Sequence, residues 1–190
     1  MREVFAEMPQ RIMPLMTRNN RLDCIDMIEG RVEAKVRNSV DQYVTLEVLN
    51  ADYLRLQTSS SSTTEMKLLP YKGTQLIAMV QTVHTDHFDD SVIAFYDMQW
   101  QQQDVSLFYT EPQTDAYFHE SHHAADSVSM ARRAIADFHP TRMDLSAEEC
   151  TLTITLQLGD METTLRPVAE DSTQPMTMKW DSLHFTPFFR

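Results

Sequence analysis

Apolar and polar positions alternate with period two through the middle of the chain. Val44, Leu46 and Val48 alternate with Thr45 and Glu47, Leu54 and Leu56 with Arg55 and Gln57, and Met66 and Leu68 with Glu65 and Lys67. Period two puts successive side chains on opposite faces of an extended backbone, so each run predicts a strand with one apolar and one polar face. Residues 75–83 are apolar on both faces, Leu76, Ala78 and Val80 against Ile77, Met79 and Val83, which predicts a central strand. Val92, Ile93, Phe95 and Tyr96 carry the pattern on towards Trp100. The polar run 59–64 and the pair Lys72-Gly73 punctuate the strands, which together predict a meander of about five.

Helical signals flank the meander. Val4, Phe5 and Met8 predict a short helix stopped by Pro9, and the apolar stretch 12–16 is broken by Pro14. Asn20 is placed as an N-cap with Asp23 at N3, Leu22, Ile25 and Ile28 form a narrow stripe, and Gly30 stands at C′. Residues 101–125 are polar and irregular. A helix is then predicted over 127–138, capped by Asp126, with Val128, Ala131, Ile135 and Phe138 on one face and Pro140 ending it. Cys150, Leu152, Ile154, Leu156 and Leu158 alternate with threonines in a further strand. Gly159-Asp160 is a two-residue hairpin signal, residues 161–168 form the return strand, and Met176, Met178 and Trp180 form the last strand, with Leu183 and Phe185 extending it. Trp100 and Trp180 each end an apolar alternation and are expected to be buried.

This order predicts an α+β fold: an antiparallel meander with the N-terminal and central helices packed on one face. The length of 190 residues suits a single domain over 1–190, with sub-halves 1–100 and 126–190 joined by a polar connector over 101–125. The halves share a helix-then-strands order without a sequence period, an order that resembles a beta-lactamase-inhibitor-like architecture.

The net charge of −12 weighs against nucleic acid as a partner, because phosphate binding needs clustered Lys and Arg, and against docking on an anionic membrane surface. No apolar run approaches the ~18 residues of a transmembrane segment. The start shows no signal peptide, so either the protein is cytoplasmic or a signal has been removed. Cys24 and Cys150 make no disulfide framework; two free thiols are the plainer reading and one disulfide the other. With three glycines the chain holds no G-x-G-x-x-G and no G-x-x-x-x-G-K loop.

The sharpest chemical motif is His119-Glu120-Ser121-His122-His123, a match to H-E-x-x-H. On a helix, His119 and His123 would share a zinc ion one turn apart, and Glu120 would activate its water. A third ligand would come from Glu148 or Glu149. Asp126 and Ser129 stand where the longer metzincin motif needs Gly and His, and the segment lacks an apolar face, so a polar His-rich connector is the weightier reading. His84, His87, Asp89 and Asp90 form a second cluster, read as a solvated hairpin tip. The serines at 59–62 offer hydroxyls without a G-x-S-x-G elbow, and the 13 methionines read as core filling.

Tyr53-Leu54-Arg55-Leu56-Gln57, Lys67-Leu68-Leu69-Pro70, Thr82-Val83, Asp90-Ser91, Phe95-Tyr96 and Trp100 follow one another in an order that resembles an uncharacterised family of Bacteroidales proteins, known only as a domain of unknown function. The start, with Val4, Phe5, Met8, Pro9, Asn19, Asn20, Arg21, Ile25 and Asp26, and the end, with Pro175, Trp180 and Phe185, are similar to it as well. The resemblance covers nearly the whole chain apart from 101–125. It implies an exported protein, periplasmic or in the cell envelope, whose signal peptide is absent from this sequence, and it brings no activity, cofactor or catalytic residue. The expectation is a non-enzymatic secreted or envelope protein, a binding module with a protein or peptide partner or else an accessory domain, with no cofactor and no metal. The alternative is a zinc-dependent hydrolase with His119 and His123 as ligands and Glu120 as base. The oligomeric state stays open.

Overall fold

The computed structural model of the protein describes residues 1–137 and 139–188. Two helices come first, α1 (Arg2–Ala6) and α2 (Arg18–Glu29). Then follow β1 (Ala34–Arg37), β2 (Tyr43–Leu49), β3 (Tyr53–Ser59), β4 (Ser62–Tyr71), β5 (Thr74–His84), β6 (Asp89–Tyr96) and β7 (Gln102–Gln103), an antiparallel meander whose spatial order is its chain order. Two short 3-10 turns lead to α3 (Ala125–Asp137), β8 (Thr141–Leu145), β9 (Thr151–Leu156), α4 (Arg166–Ser172), β10 (Met176–Trp180) and β11 (Phe185–Phe188). The last four strands form a second antiparallel sheet in the order β11-β10-β9-β8.

The α+β class and the antiparallel meander are therefore as expected, but the helices do not share a face. On one side of the large sheet, Leu54, Leu56, Met66, Ile77 and Met79 pack against Phe5, Met8, Cys24 and Ile25 of the N-terminal helices and the segment after α1. On the other side, Tyr53, Leu69, Ala78, Val80 and Phe95 pack against Leu152, Ile154, Met178 and Trp180 of the second sheet and Ala131 and Ile135 of α3. A strand apolar on both faces, such as β5, needs cover on both. The short N-terminal helices supply one layer, so the central helix and the second sheet must supply the other.

Several local expectations shift for identifiable reasons. Thr17, not Asn20, caps α2: its hydroxyl accepts the Asn20 N–H at 3.2 Å while the Asn20 side chain accepts the Thr17 N–H at 3.0 Å. Gly30 ends the helix with ordinary φ, and Arg31 takes the left-handed turn at φ 59°. Lys72 and Gly73, at φ 44° and 77°, make the two-residue hairpin turn that their sequence predicts. Residues 161–168 are not a strand: Pro167 cannot donate to a ladder but suits the first turn of a helix, and α4 starts there. Asp181 Oδ1 accepts the N–H groups of both Leu183 and His184, reversing the chain so that Phe185 pairs with Trp180 instead of extending β10. The segment 101–125 is no solvated linker, because Phe108, Tyr109 and Tyr117 are buried in the core shared with the second sheet. Trp100 and Trp180 are both buried, and both cysteines are free thiols. Phe138, predicted for the apolar face of α3, lies outside the described residues.

The largest departure concerns the polar face of β4. Glu65 and Lys67 alternate with apolar residues as surface positions do, yet they are 4% and 0% exposed. They meet β8, the edge strand of the second sheet, which lies across β4, β5 and β6. Every second N–H of β8 points away from β9 and would be orphaned. The Leu145 N–H donates to Glu65 Oε2 at 2.8 Å, Met143 to Ser91 Oγ at 3.0 Å and Thr141 to Asp90 Oδ1 at 3.3 Å. Lys67 Nζ donates to the Ala147 carbonyl just beyond β8, at 3.2 Å, and pairs with Asp52 at 3.0 Å. Glu65 Oε1 also accepts the Tyr53 hydroxyl at 2.7 Å and Arg55 Nη1 at 2.6 Å.

Glu65→Ala leaves the Leu145 N–H and the buried Tyr53 hydroxyl without their acceptor, while Arg55 keeps Glu47 at 2.8 Å, and each buried donor so orphaned costs about 1–3 kcal/mol. Urea denaturation should show a loss of that size, and a smaller one for Glu65→Gln, whose amide oxygen still accepts the Leu145 N–H. A loss below about 1 kcal/mol for Glu65→Ala would mean that apolar contacts alone hold the seam. Trp180→Ala, which empties the far side of the same core, should cost about 3–5 kcal/mol in the same measurement.

Candidate functional site

The H-E-x-x-H segment is not helical. Residues 119–124 run in irregular backbone between the second 3-10 turn and α3. Without that helix the one-turn pairing of His119 with His123 that zinc would need is not built, and His119 Nδ1 meets the Glu120 carbonyl at 2.8 Å. Instead, His123 Nε2 lies 3.0 Å from Asp171 Oδ2 on α4, with His122 Nε2 3.9 Å from the same oxygen. Glu148 and Glu149, the expected third ligands, sit in the β8–β9 turn with their N–H groups on Ser146 Oγ. The helix is displaced by a contact distant in sequence: Phe118 forms a bridge with Thr173, and the His119 N–H bonds the Ser172 carbonyl, so the backbone entering the motif is committed to the end of α4.

The His84 cluster lies at a hairpin tip whose Thr85, Asp86 and His87 are exposed, and the same tip also meets the second sheet. His84 Nδ1 meets Asp89 Oδ1 at 2.9 Å, Asp89 Oδ2 takes Arg142 of β8 at 3.4 Å, and His87 pairs with Asp160 at 2.8 Å. These contacts tie the tip of the large sheet to the second one. The serines at 59–62 close the β3–β4 tip, where the Ser59 and Ser62 hydroxyls lie 2.7 Å apart. Neither thiol is primed as a nucleophile: burial pushes Cys24 up to about 12 and raises Cys150 as well, so both stay protonated at neutral pH.

The concavity that stands out lies on the N-terminal face of the large sheet. Pro9 ends α1, and the segment 9–16 crosses the sheet before α2 begins. Its course is held by Arg21 of α2, 2% exposed, which donates to the carbonyls of Met16 at 2.8 Å and Met8 at 2.5 Å. Ser39 holds the other end, its N–H and hydroxyl both donating to the Leu15 carbonyl at 3.0 and 3.2 Å. Between this segment and the ends of β2 to β5 a groove of about 360 Å³ remains, floored by Val44 and walled by Ile12, Met13 and Leu15. Its polar lining is amide and hydroxyl, from Asn38, Gln42, Thr58, Ser62 and Gln81, and among the described residues none that lines it is charged. Past Gln81 the same face of β5 and β6 continues uncovered to Val83 and Val92, 54% and 62% exposed. Leu15, on the groove wall, is 46% exposed.

The family model for a protein of unknown function, DUF3256, matches residues 1–185. The chain belongs to that family. The Bacteroidales resemblance carried by residues such as Tyr53, Lys67, Phe95 and Trp100 agrees with it. No curated protein matches the chain. Among solved structures, a domain of an uncharacterized protein from Porphyromonas gingivalis W83, itself of the Bacteroidales, is similar at 26% identity over 100% of this chain and 98% of that one, with a TM-score of 0.82. As a DUF3256 member the protein thus gains a fold relative but inherits no chemistry.

Sequence reading missed the groove, since its walls read as a proline-broken loop and nothing in the local pattern marks its organiser, Arg21, as buried. The buried hydroxyls and thiol of this DUF3256 chain also have a consequence in alkali. Burial holds Cys24 and Tyr117 neutral, pushing both up to about 12 from ordinary values of 9.0 and 10.0, and it raises Tyr109 and Tyr53 too. Groups raised in the fold contribute stability below their unfolded values and lose it as pH rises through the folded ones. The urea midpoint should therefore fall as pH climbs from about 9 to 12, with tyrosinate absorbance growing in step with unfolding. A flat midpoint over that window would contradict the burial of these groups. At pH 8, Cys24 should resist a thiol reagent until denaturant is added.

Proposed function

We propose that the protein is a non-enzymatic, exported binding module of the cell envelope that takes an uncharged, aliphatic-bearing segment of a partner polypeptide into the groove beside Leu15. The observation that carries this reading is the charge-free lining of that groove in a chain of net charge −12. A phosphate or carboxylate ligand would find no counter-charge there, and a cationic one no carboxylate. Aliphatic side chains would find Ile12, Met13 and Val44, while Gln42, Thr58, Ser62 and Gln81 offer donors and acceptors to a partner's main chain. The uncovered strip towards Val83 and Val92 suits an elongated occupant that continues past the groove. Because Arg21 and Ser39 already hold the wall in place, little ordering entropy opposes binding. Export is supported by the family resemblance.

A synthetic array of neutral peptides carrying Leu, Ile, Val or Met, set against the same peptides with Asp or Lys at that position, tests the binding. The protein should retain the neutral set and discriminate against the charged set by at least about tenfold, equivalent to about 1.4 kcal/mol. Leu15→Glu and Thr58→Arg, checked by circular dichroism for unchanged folding, should abolish the preference. Equal retention of both sets, or a preference untouched by both variants, would refute the groove as the site. Cell fractionation that leaves the protein wholly in the cytoplasm would refute the export.

A further inference from the structure

We propose that His122, His123 and Asp171 form a surface site for a divalent transition-metal ion of the zinc class. It uses the last two residues of the His-rich motif and an acid far along the chain, not the pair spaced for a helical turn. One ring nitrogen each of His122 and His123 and a carboxylate oxygen of Asp171 all lie within 4.8 Å of one another. The two imidazoles stack with centroids 4.6 Å apart and planes 29° from parallel, so both rings present the same edge to Asp171 Oδ2, at 3.9 and 3.0 Å. A single ion among these atoms needs only small side-chain rotations to reach the ~2.0–2.2 Å bonds of zinc to imidazole nitrogen and carboxylate oxygen. Two imidazoles with one carboxylate favour zinc or its neighbours over calcium or magnesium, which take oxygen donors.

The backbone carrying the ligands is fixed independently of any ion. The residue before His122 is Ser121 and the residue after Asp171 is Ser172, and the Ser172 hydroxyl donates to Ser121 Oγ at 3.0 Å. The His119 N–H bonds the Ser172 carbonyl and the Gln174 N–H the Tyr117 carbonyl, both at 2.9 Å, forming a two-stranded clasp around the Phe118–Thr173 bridge. Ser172 is fully buried, so the clasp is anchored in the core and not on the surface. Binding an ion there orders side chains, not chain. On binding, each imidazole must give its Nε2 lone pair, with its ring proton on Nδ1, and the Asp171 carboxylate supplies the compensating negative charge. His122 and Asp171 are exposed, their side chains at 82% and 54%, so water or a donor from another molecule completes the coordination. Glu120 and His119 take no part.

The test is calorimetric titration of the untagged, chelator-treated full chain with ZnCl2, in parallel with thermal melts at saturating zinc. One equivalent should bind saturably and raise Tm, and EDTA should reverse the shift. Asp171→Asn should weaken binding by at least about tenfold and the His122→Ala, His123→Ala double variant should abolish it, whereas His119→Ala and Glu120→Gln should leave it unchanged. The four variants change five residues, exposed except for the half-buried His123, and the zinc-free Tm of each variant reports whether its fold is intact. Absence of a saturable single equivalent overturns the site. So does binding that survives Asp171→Asn and the double variant, or that disappears with His119→Ala.

Discussion

The architecture depends on how the unpaired edge of β8 is satisfied. An edge strand laid against the face of another sheet would bury N–H groups with nothing to accept them, a cost of about 1–3 kcal/mol for each orphan. Here the face supplies acceptors in register with the edge: Glu65, Ser91 and Asp90 meet Leu145, Met143 and Thr141. Once that seam is formed, the second sheet can turn Leu152, Ile154 and Trp180 towards Ala78, Val80 and Phe95, and the shared core closes. The same contacts blunt the edge against pairing with another chain. Arg55 and Tyr53 keep the Glu65 carboxylate fully engaged, so the buried charge is not left to the dielectric of the interior.

The opposite face is organised by a different device. Arg21 is buried with no carboxylate bonded to it among the described residues, and it spends its guanidinium on main-chain carbonyls of Ala6, Met8 and Met16, at the end of α1 and in the segment after it. Burial lowers its pKa. A cation used this way acts as a clamp on chain course, not as a surface ion pair, and it explains why a proline-broken segment holds one path over the sheet. The groove is what that path leaves open between itself and the strand ends. The two faces thus divide the labour: one is closed by polar seams to a second sheet, and the other is covered by the N-terminal helices over most of its area and leaves a strip at Val83 and Val92 open to solvent.

The His-rich segment shows how a local motif is reinterpreted by its neighbours. H-E-x-x-H has chemical meaning only if the backbone between the histidines is helical. At 117–119 the backbone hydrogen bonds go sideways to 172–174, and the neighbours of His123 are His122 and Asp171, not His119. Spacing along the chain carried no information about Asp171, because nothing in the order of residues brings α4 alongside that loop.

By itself, the order of residues determined the elements whose signals are local. Alternation in β2 to β6 and in β9 and β10, the Lys72-Gly73 turn, the short first helix ended by Pro9 and the burial of both tryptophans were all legible, because each rests on a period or a backbone preference spanning a few residues. The class of the fold followed from their order. What only the tertiary structure decided were the positions where a side chain or backbone group answers to a partner distant in sequence. Glu65 and Lys67 read as solvent-facing because alternation reports apolarity, not burial, and their burial exists only because β8 brings unpaired main-chain groups to them. β1 and β8 alternate as well, Ala34 and Val36 against Lys35 and Arg37 and Met143 and Leu145 against Arg142 and Asp144, but over runs of four and five residues that carry little signal; α4 replaced a strand because Pro167 fits one and not the other, and Arg21, the groove and the His122–His123–Asp171 cluster all depend on chain segments meeting across the fold. Hydrophobic periodicity encodes which face of an element is apolar, whereas the pairing of buried polar groups is set by distance in three dimensions, which a linear pattern does not contain.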